Sequence, residues 1–198
     1  QIVVVASAMT KVTDALILAA ETALSGERKA ALELIDGILE RHDEALGVLA
    51  PDGGPPADIA RKDIQRIVGE LHELMGAIVL LGELTARTKD RIIASGEKMS
   101  VRLLSLALQR HGVNGIALDA DTFLETDDNF GEANPLGVVA DRTIRAALKP
   151  HLEGDRTPVV TGFCGLAPDG STTTLGRGGS DYTATLIASA IDADEVTI

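Results

Sequence analysis

The feature that most restricts the fold is a pair of short, uninterrupted apolar runs separated by long helical patterns. Residues 2–6 (Ile-Val-Val-Val-Ala) and 158–163 (Pro-Val-Val-Thr-Gly-Phe) are rich in β-branched side chains and do not alternate with polar ones. Such runs are typical of strands buried on both faces of a parallel sheet. Because helical patterns alternate with them, we predict an α/β fold whose mostly parallel sheet is covered by helices on both faces.

Charge and composition exclude several classes of partner. Lys and Arg number 18 against 30 Asp and Glu, and the net charge of −12 disfavours nucleic acid and anionic lipid. Aromatic residues make up only 2%, which argues against base-stacking surfaces. The longest apolar stretch, residues 76–81, is far shorter than the ~20 residues of a membrane span. With a single cysteine, Cys164, and hence no intrachain disulfide, we expect a soluble cytoplasmic protein without nucleic-acid or membrane partners.

Apolar spacing and breaker residues divide the chain into predicted elements. Helices are predicted over residues 7–25 after an initial turn, 29–46, 59–79, 85–94, 96–111, 138–148 (ended by Pro150) and 180–190. Besides the two apolar runs, strands are predicted at 115–118 and 171–175, and residues 195–198 resemble the start of another.

The densest functional signal is a glycine-rich loop between the predicted strand at 171–175 and the last helix. Gly176, Gly178 and Gly179 allow the backbone to approach a ligand closely. The N-terminus of the following helix offers unpaired N–H groups to an anion. Arg177, within the loop, adds a planar guanidinium suited to a carboxylate or phosphate. These features favour an anion-binding site, although the spacing is neither that of a Walker loop nor that of a dinucleotide-binding motif.

Ser180 and Asp181, at the start of that helix, could serve either a ligand or the helix itself. Asp181 could orient a cationic side chain or a metal-bound water. Alternatively, the loop is a flexible turn in which Ser180 or Asp181 caps the helix. The presence of Arg177 inside the loop favours the functional interpretation.

Two further segments could contribute to a site. Glu97, after Gly96, could bind a substrate ammonium group, but the residues alone favour an acid placed in a first helical turn by the helix dipole. Ser7 and Thr13 follow the first apolar run, and ligands of open α/β sheets bind beyond the carboxyl ends of strands. Ordinary helix capping is the alternative for this segment.

Together these segments resemble the aspartokinases of the amino acid kinase family. Four blocks carry the resemblance in the family's order: residues 3–14, residues 95–100 (Ser-Gly-Glu-Lys-Met-Ser), residues 119–133, and residues 162–182, which include Thr-Thr-Thr-Leu-Gly-Arg-Gly-Gly-Ser-Asp-Tyr. The last block is highly specific to aspartokinases. The resemblance covers nearly the whole chain and is weakest over residues 26–60.

The resemblance implies a three-layer α/β/α sandwich and ATP-dependent phosphorylation of the L-aspartate side-chain carboxylate to 4-phospho-L-aspartate, the first step toward lysine, threonine and methionine. It implies L-aspartate and ATP as ligands, Mg²⁺ as cofactor, and a homodimer. By the same resemblance, Glu97 binds the substrate ammonium, Arg177 binds its α-carboxylate, and Asp181 organises the catalytic cations. The substrate pocket is completed by Ser7, Thr13, Ser180 and the backbone around Phe163, and the glycine-rich loop contacts phosphate.

Some expected segments of the family are absent from this sequence. The opening Lys-Phe-Gly-Gly-Thr-Ser motif, a nucleotide-binding segment beginning Trp-Thr-Asp, and the ACT regulatory domains are not found, and Lys11 stands where many relatives have glycine. We therefore expect residues 1–198 to be one amino acid kinase domain that is incomplete at both ends and inactive alone. Residues 26–94 are expected to be its mainly helical segment.

Two alternatives remain open at this point. One is another acyl-phosphate-forming kinase, acting on glutamate, N-acetylglutamate or carbamate. Glu97 and Arg177 argue against the last two, since N-acetylglutamate has no ammonium and carbamate no α-carboxylate. The other is a non-catalytic protein that binds aspartate or only dimerises.

Overall fold

A three-stranded parallel sheet forms the centre of the computed structural model, which describes residues 1–198. Its strands are β1 (Val4–Ala6), β2 (Gly115–Leu118) and β3 (Thr157–Thr161), in the order β1-β3-β2. Val5 pairs with Val160 across the first ladder, and Leu118 pairs with Val160 across the second. A separate antiparallel pair, β4 (Cys164–Leu166) and β5 (Thr172–Thr174), follows β3. The predicted α/β class with a mostly parallel sheet is confirmed.

Helices cover both faces of the sheet. Helix α5 (Val138–Glu153) and helix α6 (Gly179–Ala190) pack against each other and against β3 and β1. Val160 of β3 is buried with Ile144 and Ile187 of these helices. Its neighbour Val159 is also fully buried and points to the opposite face, because side chains alternate along a strand. Helix α4 (Ala86–Arg110) lies against β2 and β3, which completes the three layers.

Three long helices pack beyond α4. They are α1 (Val12–Leu24), α2 (Arg28–Leu49) and α3 (Pro55–Leu81), and each contacts α4. Their apolar faces share a core with α4 of 22 buried residues, among them Leu16, Ile35 and Leu71. None of the helices combines the length and the apolar character needed to span a membrane.

The predicted break between two helices near residue 95 is wrong, because α4 is continuous from Ala86 to Arg110. Thr85 caps its start by accepting a hydrogen bond from the Thr88 N–H at 3.1 Å. Gly96 lies inside the helix, where a Cβ would be 2.9 Å from the Ala8 Cβ. The glycine therefore permits close packing and does not end the helix.

Two predictions near chain turns are also wrong. Helix α5 continues through Pro150 to Glu153, because proline has a helical φ and costs one backbone bond near a helix end. Residues 195–198 form no strand; they are exposed and pair with no neighbouring strand.

Candidate active site

One cavity of about 380 Å³ brings together all ten residues that the sequence analysis singled out. It opens beyond the carboxyl ends of β1 and β3, beside the middle of α4 and the N-terminus of α6. Its lining consists of Ser7, Thr13, Glu97, Phe163, Gly176, Arg177, Gly178, Gly179, Ser180 and Asp181.

The first edge of the cavity joins β1 to α6. Ser7 follows β1 directly, and its hydroxyl donates a hydrogen bond of 2.8 Å to the Ser180 hydroxyl in the first turn of α6. Gly162, just after β3, makes this approach possible: a Cβ there would lie 2.6–2.9 Å from the Ser180 side chain and Cα. The close contact fixes the N-terminus of α6 against the ends of the two strands.

Glu97 is a buried carboxylate with an incomplete set of partners. The residue is only 4% exposed, and its Oε1 accepts a hydrogen bond of 3.2 Å from the Ala8 N–H. Its Oε2 is buried without a partner in the protein. Burial raises the pKa of Glu97 to about 7, an effect that the Ala8 hydrogen bond opposes. A buried carboxylate oxygen without a donor is well suited to a cationic ligand group.

The position of Glu97 rules out the helix-dipole explanation. Helix α4 begins at Ala86, so Glu97 lies three turns into the helix, where the dipole of the first turn no longer acts. Gly96 beside it lets α4 approach the loop after β1, which brings the Ala8 N–H to the carboxylate.

The N-terminus of α6 offers free backbone donors to the cavity. Gly178 precedes the helix in the left-handed conformation (φ 71°), and no side chain caps this end. The N–H groups of Ser180 and Asp181 donate to no backbone acceptor. Arg177 and the Asp181 side chain are both exposed at this end of the cavity. Free N–H groups, the positive end of the helix dipole and a guanidinium form a site suited to an anion.

Phe163 holds a strained backbone conformation at the floor of the cavity. Its φ of 67° lies in the left-handed region, which is costly for a bulky residue. The Phe163 N–H donates to the Thr183 hydroxyl at 3.0 Å, and its carbonyl accepts from the Leu175 N–H at 2.9 Å. Its ring lies against Gly179, where a Cβ would be 2.7 Å away. These contacts maintain the unusual conformation.

Two buried polar residues that support these elements, Thr183 and Asp90, were not predicted from the sequence. Thr183, fully buried one turn into α6, donates to the Gly179 carbonyl at 2.8 Å while accepting from Phe163. Asp90 on α4 is 2% exposed and binds the end of β5. A hydroxyl at the fifth position of α6 and an acid in α4 are evident in the sequence, but their partners Phe163 and Thr174 lie 20 and 84 residues away along the chain.

The charges of the cavity are arranged in two zones. The Glu97 carboxylate is buried on the α4 side, whereas the Arg177 guanidinium and the α6 amides lie on the other. Such an arrangement suits a small molecule that carries both an ammonium and a carboxylate, with a further anion at the helix end.

Comparison with known proteins identifies the class to which this fold and cavity belong. Residues 1–198 match the model of the Amino acid kinase family over their whole length. The chain is a member of the amino acid kinase family.

Among the members of that family, the aspartokinases are similar to this chain along nearly all of it. Aspartokinase 1 of Arabidopsis thaliana chloroplasts is 34% identical over 99% of the chain, and lysine-sensitive aspartokinase 3 of Escherichia coli is 32% identical over 98%. The predicted resemblance is thereby confirmed. The chain spans only 34% and 41% of the length of these two relatives.

Solved structures agree with the sequence comparison. The chain superposes on E. coli aspartokinase III in complex with aspartate and ADP with a TM-score of 0.82 and 32% identity, covering 98% of this chain and 41% of that one. The same enzyme in complex with lysine and aspartate gives a TM-score of 0.78 at 30% identity, again with coverages of 98% and 41%.

Proposed function

We propose that the protein is an aspartate kinase, which transfers the γ-phosphoryl group of ATP to the side-chain carboxylate of L-aspartate and forms 4-phospho-L-aspartate. The observation that carries the proposal is the buried, unpartnered Oε2 of Glu97 in the same cavity as Arg177 and the free N–H groups of α6. The relative in complex with aspartate and ADP supports the choice of ligands.

In this proposal the protein binds both charged groups on the α-carbon of the amino acid, the ammonium and the α-carboxylate. Glu97 Oε2 accepts a hydrogen bond from the ammonium, and the Arg177 guanidinium binds the α-carboxylate. The hydroxyls of Ser7 and Thr13 contact the substrate from the side of β1. The backbone of Phe163, held by its hydrogen bonds to Thr183 and Leu175, completes the substrate pocket. These contacts leave the side-chain carboxylate of aspartate free to face the anion site.

The chemistry requires alignment and charge neutralisation rather than a general base. The side-chain carboxylate of aspartate is already ionised at neutral pH, since its ordinary pKa is about 4. Catalysis then consists of bringing two anions into line and stabilising charge on the transferring group. The N–H groups of Ser180 and Asp181 would stabilise that charge, and Gly176, Gly178 and Gly179 would let phosphate oxygens approach the backbone.

The cavity fits a nucleotide phosphate with Mg²⁺. The unpaired amides at the N-terminus of α6 suit phosphate oxygens. Mg²⁺ is commonly held by one or two carboxylates together with substrate phosphates, and Asp181 supplies an exposed carboxylate at that end. When bound, the metal would neutralise phosphate charge. Asp181 would hold it there and orient its water ligands.

The remaining parts of the proposal rest on the resemblance to aspartokinases. They are a homodimeric assembly, a cytoplasmic location, and one amino acid kinase domain over residues 1–198 that contains the mainly helical segment 26–94. The pattern of buried helix faces in that segment is compatible with this division.

The test is hydroxylamine trapping of acyl phosphate by the protein at its natural full length. Mg-ATP is offered with L-aspartate, L-glutamate or N-acetyl-L-glutamate in parallel reactions. We expect trapped hydroxamate with aspartate alone. Trapping with glutamate or N-acetylglutamate would show that the proposed substrate is wrong. Absence of product with all three acids, accompanied by calorimetric binding of aspartate, would replace the proposal with a binding role.

A matched pair of variants ties the activity to this cavity. Asp181→Asn removes the carboxylate that faces the anion site, and Asp141→Asn makes the same change in the first turn of α5, outside the cavity lining. We expect the first variant to lose most of its turnover and the second to retain it. Equal turnover in both variants would contradict the role proposed for Asp181.

A further inference from the structure

Asp90 makes an unusual set of contacts for a residue outside the cavity lining. It is 2% exposed, in the first turns of α4. Its Oδ2 accepts hydrogen bonds from the Gly131 N–H at 2.8 Å and from the Thr174 N–H at 2.9 Å. Its Oδ1 accepts from the Thr174 hydroxyl at 2.9 Å. One carboxylate thus joins α4 to two segments that lie 41 and 84 residues further along the chain.

Both segments support the glycine-rich loop. Thr174 is the last residue of β5, two residues before Gly176, and its carbonyl accepts from the Ala133 N–H at 2.9 Å. Gly176 (φ 75°) rests on the other segment: a Cβ there would be 3.5 Å from the Gly131 carbonyl oxygen and 3.4 Å from the Glu132 side chain. The start of the loop and the turn beneath it are therefore both held by Asp90.

Asp90 and Glu97 lie on the same helix, seven residues or about two turns apart. A rigid helix consequently connects the carboxylate that faces the cavity with the carboxylate that anchors the loop. We infer that Asp90 is a positioning residue, which fixes the loop carrying Arg177 at the distance from Glu97 that an α-amino acid requires. This inference rests on the proposed function.

The alternative is that Asp90 serves stability only. Placing a carboxylate in the interior is costly, and an apolar residue of similar size is often as stabilising as a buried charged group. The two backbone N–H groups would lose their acceptor in such a variant, however, and both belong to segments that form the loop and its support. A positioning role therefore predicts an effect on substrate binding beyond any loss of stability.

Three variants separate these explanations. Asp90→Ala removes all three hydrogen bonds. Asp90→Asn can retain them, because the amide oxygen accepts from both N–H groups and the amide NH₂ donates to the Thr174 hydroxyl, which reverses its role. Leu71→Ala, in the core of the helical layer, lowers stability far from the loop and is the control for stability alone.

The first measurement is hydrogen–deuterium exchange of residues 175–181, which needs no turnover. We expect faster exchange there in Asp90→Ala, exchange close to wild type in Asp90→Asn, and no change in Leu71→Ala. Wild-type exchange in Asp90→Ala would overturn the inference. Because this measurement does not depend on catalysis, its result stands even if hydroxylamine trapping rejects the proposed activity.

The second measurement is the KM for each substrate in the full-length protein. We expect Asp90→Ala to raise the KM for L-aspartate on the order of 10–100-fold, as for displacement of a binding group by about 1 Å, with a smaller change in the KM for Mg-ATP. Asp90→Asn should restore most of the affinity. An equal KM for aspartate in Asp90→Ala and Leu71→Ala, at matched melting temperatures, would show that Asp90 is merely structural. Should Asp90→Ala not fold, Thr174→Val takes its place, because valine loses the hydroxyl that donates to Asp90 Oδ1. We then expect a raised KM for aspartate in Thr174→Val, and a KM equal to wild type there would refute the positioning role.

Discussion

The Ser7 hydroxyl donates a hydrogen bond of 2.8 Å to the Ser180 hydroxyl, across 173 residues of sequence. Ser7 marks the end of β1, and Ser180 lies in the first turn of α6. The bond therefore connects the end of an edge strand to the helix N-terminus that offers free amides. The cavity depends on this close approach of β1 and α6, which the absence of a side chain at Gly162 allows.

Replacing Gly162 with alanine should displace the N-terminus of α6. The new Cβ would lie 2.9 Å from the Ser180 Cα, so the backbone must move. We expect a loss of the proposed aspartate kinase activity of at least tenfold, since a shift of about 1 Å in a binding element can cost more than that. Steady-state kinetics of the full-length protein measures the effect.

Gly69→Ala is the control for this substitution. Gly69 is exposed inside α3, and nothing lies within 4 Å of the position of an added Cβ. Alanine there should raise stability by about 0.5–1 kcal/mol without affecting activity. Unchanged kinetics in Gly162→Ala would mean that the cavity tolerates movement of α6.

Glu97 should make the ligand-free protein less stable as the pH rises from about 4.5 to about 7. The pKa of this group is raised from 4.5 to about 7 in the folded protein, chiefly by burial. Within this window the unfolded chain releases a proton that the folded chain retains. The stabilisation from the protonated Glu97 is complete below about pH 4.5 and is lost as the pH rises through about 7. It amounts to about 3 kcal/mol of the free energy of unfolding.

Thermal unfolding at several pH values, with and without Glu97→Gln, isolates this contribution. The glutamine variant should have a flatter dependence of melting temperature on pH between these limits. Identical pH profiles for the two proteins would indicate that Glu97 is ionised throughout the range, with its buried oxygen paired by a solvent molecule or ion.

Arg177→Ala should weaken the binding of L-aspartate. Loss of a charge-assisted hydrogen bond costs roughly 1.5–3 kcal/mol, which corresponds to an increase in KM of about 10–100-fold. Arg87→Ala is a matched control, because Arg87 is also exposed and pairs only with Asp169 at 3.1 Å on the surface. If aspartate KM and kcat are the same in Arg177→Ala as in Arg87→Ala, the assignment of Arg177 fails.

Lys11→Gly should stabilise the protein. Lys11 precedes α1 with a φ of 65° and makes no capping hydrogen bond with its side chain. The left-handed conformation costs a residue with a Cβ about 1–2 kcal/mol, part of which glycine regains despite its greater freedom when unfolded. We expect a higher melting temperature in differential scanning calorimetry. A lower one would show that the lysine side chain makes a compensating contribution.

The sequence was informative wherever chemistry was local. The β-branched run before Ser7 predicted a buried strand, and the three glycines around Arg177 predicted a loop at a helix N-terminus; the structure has both. The spacing of apolar residues located the long helices, because the residues on the buried face of a helix recur every three or four positions. Glu97 was recognised through its resemblance to a family motif, whereas helix-dipole reasoning favoured a position in a first turn that the structure does not have.

Features that depend on distant packing could not be predicted. Glycine is a residue type that often ends helices, but the role of Gly96 is set by Ala8, which lies in the loop between β1 and α1. The hydrogen bonds of Asp90 and Thr183 join segments that are remote in sequence. Nothing in the residues adjacent to them distinguishes these two side chains from ordinary helix-surface polar groups.

The strand order has a consequence for the way in which the molecule is made. Strand β3 lies between β1 and β2 but follows both of them in the chain, so β1 and β2 cannot be joined until residues 157–161 are available. Helices α1–α4 are complete by residue 110 and pack on one another. Because domains acquire structure as the ribosome releases them, the helices can pack on one another before β3 joins β1 and β2. The cavity lies beyond the ends of β1 and β3, so it can form only after the helical layer, and its appearance reports that β3 has joined β1.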